Sequence, residues 1–327
     1  MEMALQTFDE QLDKMDGEVP SILLGNGFSQ AWERNIFNYR NLFQQANFGV
    51  RHNSLINAFT HFDTFDFEKI MKKLESAEYI CQSYNVPQNY IQNIQADKEQ
   101  LKSSLIDVIT RSHPARSSYV TVNQYDLAKP FISQFEKVFT LNYDLLLYWI
   151  INKTEITPRG YQNNDGFFGD TWIARPNQDV FFVHGGLHLY DTGLSIKKHV
   201  FNDNLNVSIA EQVSANLNAG NFPLFVSEPT AEKKLSKIKH NPYLNSCFEA
   251  IKSLRGSLFI HGHAMAANDQ HIFNQIKESD VTRIFVGIFG DENSDENIIT
   301  IANARRFLQK RSITIEFYDA ATAPIWA

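Results

Sequence analysis

Three apolar runs in the chain end in residues able to do chemistry. Ser21–Leu24 breaks into Gly25-Asn26-Gly27-Phe28-Ser29, Lys137–Thr140 runs into Leu141-Asn142-Tyr143-Asp144, and Val180–Val183 ends on His184-Gly185-Gly186. Glycines at a strand-to-helix turn let backbone approach a phosphate, and the N–H groups opening the helix favour an anion. A tight turn with Ser29 as its helix cap would use the same residues. Asn142 is an amide between an apolar run and the next helix, so its donors and acceptor need partners. Asp144 is either a carboxylate aimed at a ligand or the cap of that helix. His184 offers an imidazole, whose ordinary pKa suits proton transfer near neutrality, beside backbone thinned by glycine.

A fourth run, Ser257–Ile260, ends in His261-Gly262-His263, with Asn268, Asp269 and His271 close behind. On extended backbone His261 and His263 would share a face, which raises metal binding. No acidic residue adjoins the pair, and a turn of small residues equally suits a ribose or adenine packed on backbone. His188 follows His184 by four residues, but the two intervening glycines argue against a helical metal-binding pair. The basic run Lys233, Lys234, Lys237, Lys239 and His240 reads first as a solvated helix face and second as a phosphate-attracting mouth.

The elements that carry these groups alternate. Pro223–Val226, Arg283–Ile288 and Ile313–Tyr318 add further strand-type runs, most separated by segments of helical period, which predicts an α/β fold with a Rossmann-like parallel sheet flanked by helices. Several runs are apolar throughout, as in strands buried on both faces. Between the first and second strands the chain reads as helix only. Phe67, Ile70, Met71 and Leu74 mark one amphipathic helix, and Leu101, Leu105, Val108 and Ile109 another that ends before His113-Pro114. Residues 39–130 therefore form a large helical insertion after the first strand, over the sheet edge where α/β proteins hold ligands. No repeat or linker divides the chain, so residues 1–327 are expected to be one domain.

With 327 residues, 43% hydrophobic and 20% charged, the composition is that of a packed protein rather than a disordered one. The net charge of −7 offers no global field for nucleic acid or a membrane surface. The longest apolar run, Leu145 to Ile151, is far short of a membrane span and the N-terminus is acidic, which predicts a cytoplasmic protein. Cys81 and Cys247 are the only cysteines, so one chain cannot build a four-cysteine zinc site.

The order strand-GxGxS, strand-TxNxD, strand-HG resembles the sirtuin-like superfamily of NAD-consuming domains, in particular bacterial sirtuin-like NAD hydrolases of anti-phage defence. The resemblance implies that Gly25, Asn26, Gly27, Phe28 and Ser29 form the phosphate and adenosine loop, with Asn26 where deacylases usually carry alanine. It implies that Asn142 and Asp144 hold the nicotinamide ribose and carboxamide, with Leu141 in place of the family's glutamine. His184 matches the catalytic histidine, and Gly262 and His263 fall where deacylases place a ribose-binding Gly-Thr-Ser. The zinc ribbon that flanks the deacylase peptide groove cannot be built here, so the implied chemistry is hydrolysis of NAD, as substrate and without metal, to nicotinamide and ADP-ribose. Two other readings stand beside it: a metal-dependent phosphoesterase on His184, His261, His263 and Asp269, and a non-catalytic NAD- or ADP-ribose-binding regulator. An NAD hydrolase must be restrained, which predicts a homo-oligomer or a defence partner that triggers it, with the aromatics of residues 35–48 and 61–67 as candidate contact surfaces.

Overall fold

The computed structural model describes residues 5–15, 17–34, 42–159, 163–174, 177–201, 207–228 and 230–326. Among these, eleven strands occur in the order β1 (Ser21–Leu24), β2 (Val138–Thr140), β3 (Phe167–Phe168), β4 (Thr171–Trp172), β5 (Val180–Phe182), β6 (Gly185–Asp191), β7 (Ile196–Lys198), β8 (Pro223–Phe225), β9 (Arg255–His261), β10 (Asp280–Ile288) and β11 (Thr314–Asp319). Six of them form a wholly parallel sheet in the order β11-β10-β9-β1-β2-β5. β1 is buried along its whole length and lies between β2 and β9, with Leu24 level with Thr140 on one side and His261 on the other. From β1 the chain builds outward to β2 and β5, then returns to place β9 on the opposite flank. The crevice beyond the carboxyl ends of β1 and β9 is thus the point where winding reverses, the usual ligand position in such sheets.

The expected α/β fold with a helical insertion after the first strand is what the structure shows. The insertion's two long helices are Phe67–Ser83, capped by Asp66 accepting from the Glu68 and Lys69 amides, and Gln88–Ser112, which stops before His113-Pro114. Phe43, Phe48, Phe59, Phe65 and Phe67 stack into an aromatic cluster inside the insertion. The aromatics expected to form a contact surface are therefore largely its own packing; residues 35–41 of that stretch lie outside the described residues.

Two expectations need correction. Pro223–Val226 is not a strand of the parallel sheet: β8 pairs antiparallel with β6 in a second sheet of order β3-β4-β7-β6-β8. The chain switches sheets at Gly185, whose φ of +75° and close passage to the Leu224 carbonyl exclude a side chain. The basic run is only in part a solvated face: Lys239 and His240 are exposed, but the other three are paired. Lys233 pairs with Asp63 and Lys237 with Asp66, both in the insertion, while Lys234 is buried against Asp269, so helix Ala231–His240 clamps the insertion to the rest.

His113, His188 and His261 are buried in this frame, and so are His184 and His271. Burial pushes His113, His261 and His271 down to about 4, and holds His184 and His188 well below the ordinary imidazole range. Between about pH 6.5 and 4 the unfolded chain binds protons at these rings that the folded chain does not. Stability is then full above about 6.5 and falls with pH by up to roughly 1.4 kcal/mol per unit for each histidine. Asp144 and Asp179, which burial raises to about 6, act in the opposite sense over the same window, but they are outnumbered. The urea midpoint should drop steadily from pH 7 to 5; an unchanged midpoint would contradict neutral burial of these rings.

Candidate functional site

A cavity of about 410 Å³ opens at the reversal point between β1 and β9. Its floor is the strand-end turns Gly25-Asn26, Leu141–Asp144 and Gly262–Ala264; the insertion contributes Phe65, Ser112 and His113, the turn between β5 and β6 contributes His184, and β6 contributes Leu187. Strand ends supply its polar groups because a buried strand can carry polar side chains only where it emerges from the sheet.

Two turns of the floor touch backbone to backbone. Gly25 N–H donates to the His261 carbonyl at 2.8 Å and Gly27 N–H to the Gly262 carbonyl at 2.7 Å. A Cβ on Gly25 would lie 2.6 Å from the Gly262 oxygen, one on Gly27 2.6 Å from the Gly262 Cα, and one on Gly262 2.5 Å from the Phe28 nitrogen. These glycines serve close approach of chain to chain. Gly25 and Asn26 reach the cavity, whereas Gly27, Phe28 and Ser29 are not in its wall. Phe28 packs on Trp326, whose indole N–H donates to the Phe28 carbonyl.

Ser29 is wholly buried and joins two turns: its hydroxyl donates to Asp144 Oδ2 at 2.5 Å and accepts from Asn142 Nδ2 at 3.0 Å. The same Nδ2 donates to the Gly25 carbonyl at 3.0 Å. With its amide hydrogens so used, Asn142 has its carbonyl oxygen left for a ligand. Asp144 Oδ1 accepts from the Leu146 amide at 2.9 Å, at the entry to helix Leu146–Asn152 whose N-cap is Leu145, and burial raises Asp144 to about 6 against the pull of Ser29 and that amide. Asp144 therefore holds the turn into that helix and anchors Ser29 while also lining the cavity. The insertion is fastened here through His113, whose Nε2 accepts from the Leu145 amide at 2.7 Å while Nδ1 donates to the Pro114 carbonyl at 2.8 Å.

The opposite wall is a network around Asp269. Its Oδ1 accepts from the Lys234 ammonium at 2.6 Å and its Oδ2 from His263 Nε2 at 3.1 Å; His263 Nδ1 accepts from the Met265 amide at 2.9 Å. Burial alone would raise Asp269, but the His263 hydrogen bond and the Lys234 charge outweigh it and hold the carboxyl well below its usual range. His184 Nε2 stands 3.3 Å from His271 Nε2 and 3.9 Å from Asp269 Oδ1, so one imidazole donates to the other. Burial, then the Lys234 charge, keep His184 neutral. Asp144 and Asp269 are thus displaced in opposite directions within one cavity, the pattern of a site that separates proton-holding from charge-holding carboxyls.

His184, Asp269 and His271 each offer a ligand atom within 4.8 Å of the others, near enough for a metal ion. Lys234 already places a positive charge on the same Asp269 oxygen, which opposes a second cation. The shared face that would let His261 and His263 hold one metal does not form. Gly262, at φ +69°, breaks the strand between them; His261 turns into the core to meet the Tyr318 hydroxyl at 2.8 Å, and His263 faces the cavity.

Of the sequence candidates, Gly25, Asn26, Asn142, Asp144, His184, Gly262 and His263 line this one cavity. Lys234 lines it too, in keeping with the second reading of the basic run, whereas Glu228 and His113 were not foreseen there; Glu228 accepts from the Thr64 hydroxyl of the insertion at 2.9 Å. Helical spacing also puts Lys234 on the same face as the buried Ile238.

The chain belongs to the family described as Domain of unknown function (DUF4917), whose model matches residues 22–326. No curated protein matches the sequence. Among solved structures, one described as "The Structural basis for Sirtuin Substrate affinity" is similar at 13% identity and a TM-score of 0.34, covering 94% of this chain and 100% of that one. No helix among the described residues is long and apolar enough to cross a membrane.

The backbone contact makes a graded prediction. Gly290, at φ +80° with open space around it, should lose about 1–2 kcal/mol on change to alanine, from the left-handed backbone alone. Gly262→Ala adds a collision with backbone that cannot move aside, and should cost about 3 kcal/mol or more. Urea unfolding of both variants measures the difference; equal losses would mean that the two turns are not in close contact.

Proposed function

We propose that this chain is an NAD glycohydrolase that cleaves the nicotinamide N-glycosidic bond. The observation that supports it best is the convergence of the three strand-end motifs of the sirtuin-like pattern on one cavity, with Asn142 and His184 both in its wall. In this reading the C1′–nitrogen bond breaks first, nicotinamide leaves as a neutral amide, and ribose passes through an oxocarbenium-like state that water captures at C1′. The free Asn142 oxygen orients a ribose hydroxyl or the water. His184, neutral and hydrogen-bonded to His271, takes the proton that the attacking water loses, and the ionised Asp269 nearby eases the positive charge that forms. Asp144 is a positioning residue: through Ser29 it fixes the Asn142 amide. The sirtuin-like pattern further suggests a role in anti-phage defence, with activity restrained until assembly or a partner releases it.

A metal-dependent phosphoesterase is the second reading, favoured by the close grouping of His184, Asp269 and His271. The Lys234 ammonium weighs against it.

Incubating the purified protein with NAD and resolving products chromatographically tests the reading. Nicotinamide and ADP-ribose should appear in equal amounts, Asn142→Ala and His184→Ala should each lower the rate by roughly 10²–10⁴-fold, and EDTA should leave it unchanged. A His184→Ala variant that cleaves NAD at the full rate removes the assignment. One tightly bound metal per chain, lost together with activity, would favour the phosphoesterase.

A further inference from the structure

A second cavity, of about 500 Å³, lies between helix Leu146–Asn152, β6 and the loop that follows helix Gln88–Ser112. Its wall is unlike that of the first. Among the described residues no acidic side chain lines it; Arg116 and Lys153 supply positive charge, Ser117 and Ser118 hydroxyls, and Tyr148, Trp149 and Phe201 aromatic surface. Both charged side chains among the described wall residues are thus basic, in a chain of net charge −7. Glu155, mostly exposed, lies 3.8 Å from the Lys153 ammonium, Glu211 acts on the Arg116 charge from the surface, and Asp165 is close enough to act on Tyr148.

His188 supplies an independent observation. It is 1% exposed, lines the cavity, and has no hydrogen-bond partner at either ring nitrogen among the described residues. Tyr148 stacks on one face at 4.1 Å and Phe182 meets the ring edge-on, so the imidazole is held rigidly with its polar atoms unmet. Leaving a buried donor or acceptor unpaired is costly, and native sites of this kind are completed by a ligand or by water. A space of this size, walled by aromatics with a few convergent polar groups, is in the range of small-molecule sites.

We propose that the second cavity binds an anionic aromatic small molecule of the nucleoside phosphate class. Its phosphate would meet Arg116 and Lys153, its base would pack among Tyr148, Trp149 and Phe201, and a polar edge would pair with His188. The proposal goes beyond NAD cleavage and does not depend on it.

The test is direct binding of AMP to the whole chain, read by tryptophan fluorescence. AMP should give a saturable change below about 1 mM. Trp149→Phe should abolish that change, and Arg116→Gln or Lys153→Gln should weaken binding at least about tenfold, with far-UV circular dichroism unaltered. His184→Ala, in the first cavity, should bind AMP as the wild type does, and inorganic phosphate should compete far less well than AMP. The proposal fails if no saturable change occurs, if Trp149→Phe retains it, if both charge variants bind normally, or if phosphate competes equally. These outcomes are read without NAD cleavage, so loss of one reading leaves the other testable.

Discussion

Backbone of residues 25–27 and 261–262, far apart in the chain, meets at the floor of the first cavity with nothing between. Gly25 and Gly27 donate to the carbonyls of His261 and Gly262, at distances no side chain would allow. Other groups of the site take their positions from this contact. The Gly25 carbonyl, held on one side by its own strand, is the acceptor that orients the Asn142 amide. The turn at Gly262 aims His263 at Asp269, and Asp269 in turn gathers Lys234 and stands near His184. Backbone hydrogen bonds make good foundations because they carry no rotamer freedom. A site built on them needs few side chains to be pre-organised.

Legibility of the chain varied with how local the cause was. The runs Ser21–Leu24 and Val138–Thr140 read correctly because a central parallel strand is apolar on both faces, and the polar residues after each had to stand on the rim. The helix ending at Ser112 was legible from His113-Pro114. Pro223–Phe225 was misplaced because a three-residue apolar strand carries the same pattern in either sheet, and its partner was settled by the distant Gly185. Lys234 read as surface because its partner, Asp269, lies in another element and a buried ion pair has no local sequence signature. The His261-Gly262-His263 triplet misled for a similar reason: the alternation rule assumes extended backbone, and the glycine leaves it.

The two carboxyls at the cavity show how one fold gives the same chemical group two characters. Asp144 meets a hydroxyl and an amide, both neutral, and burial dominates. Asp269 is equally buried but faces an ammonium and two imidazoles, so its charge is retained. The difference comes from the partners each carboxyl meets: the Ser29 hydroxyl and the Leu146 amide for Asp144, but His263 and the Lys234 ammonium of helix Ala231–His240 for Asp269. That helix also holds the insertion through Lys233 and Lys237, so the charge of the cavity and the seating of its cover depend on one element.

The place of β1 in the sheet has a consequence for how the molecule is made. Once β1 has left the ribosome, one edge waits for β2 and the other for β9, which follows by more than two hundred residues. At ordinary elongation rates that is roughly 10–40 s during which an apolar strand has an open edge. Long-range parallel pairing is slow even in a complete chain, because loop closure precedes any reward. The helical insertion, whose contacts are mostly local, can form in that interval and shield the nascent strand. The cavity itself cannot exist until β9 arrives, so a chain interrupted before that point carries the insertion and the early strands but no site.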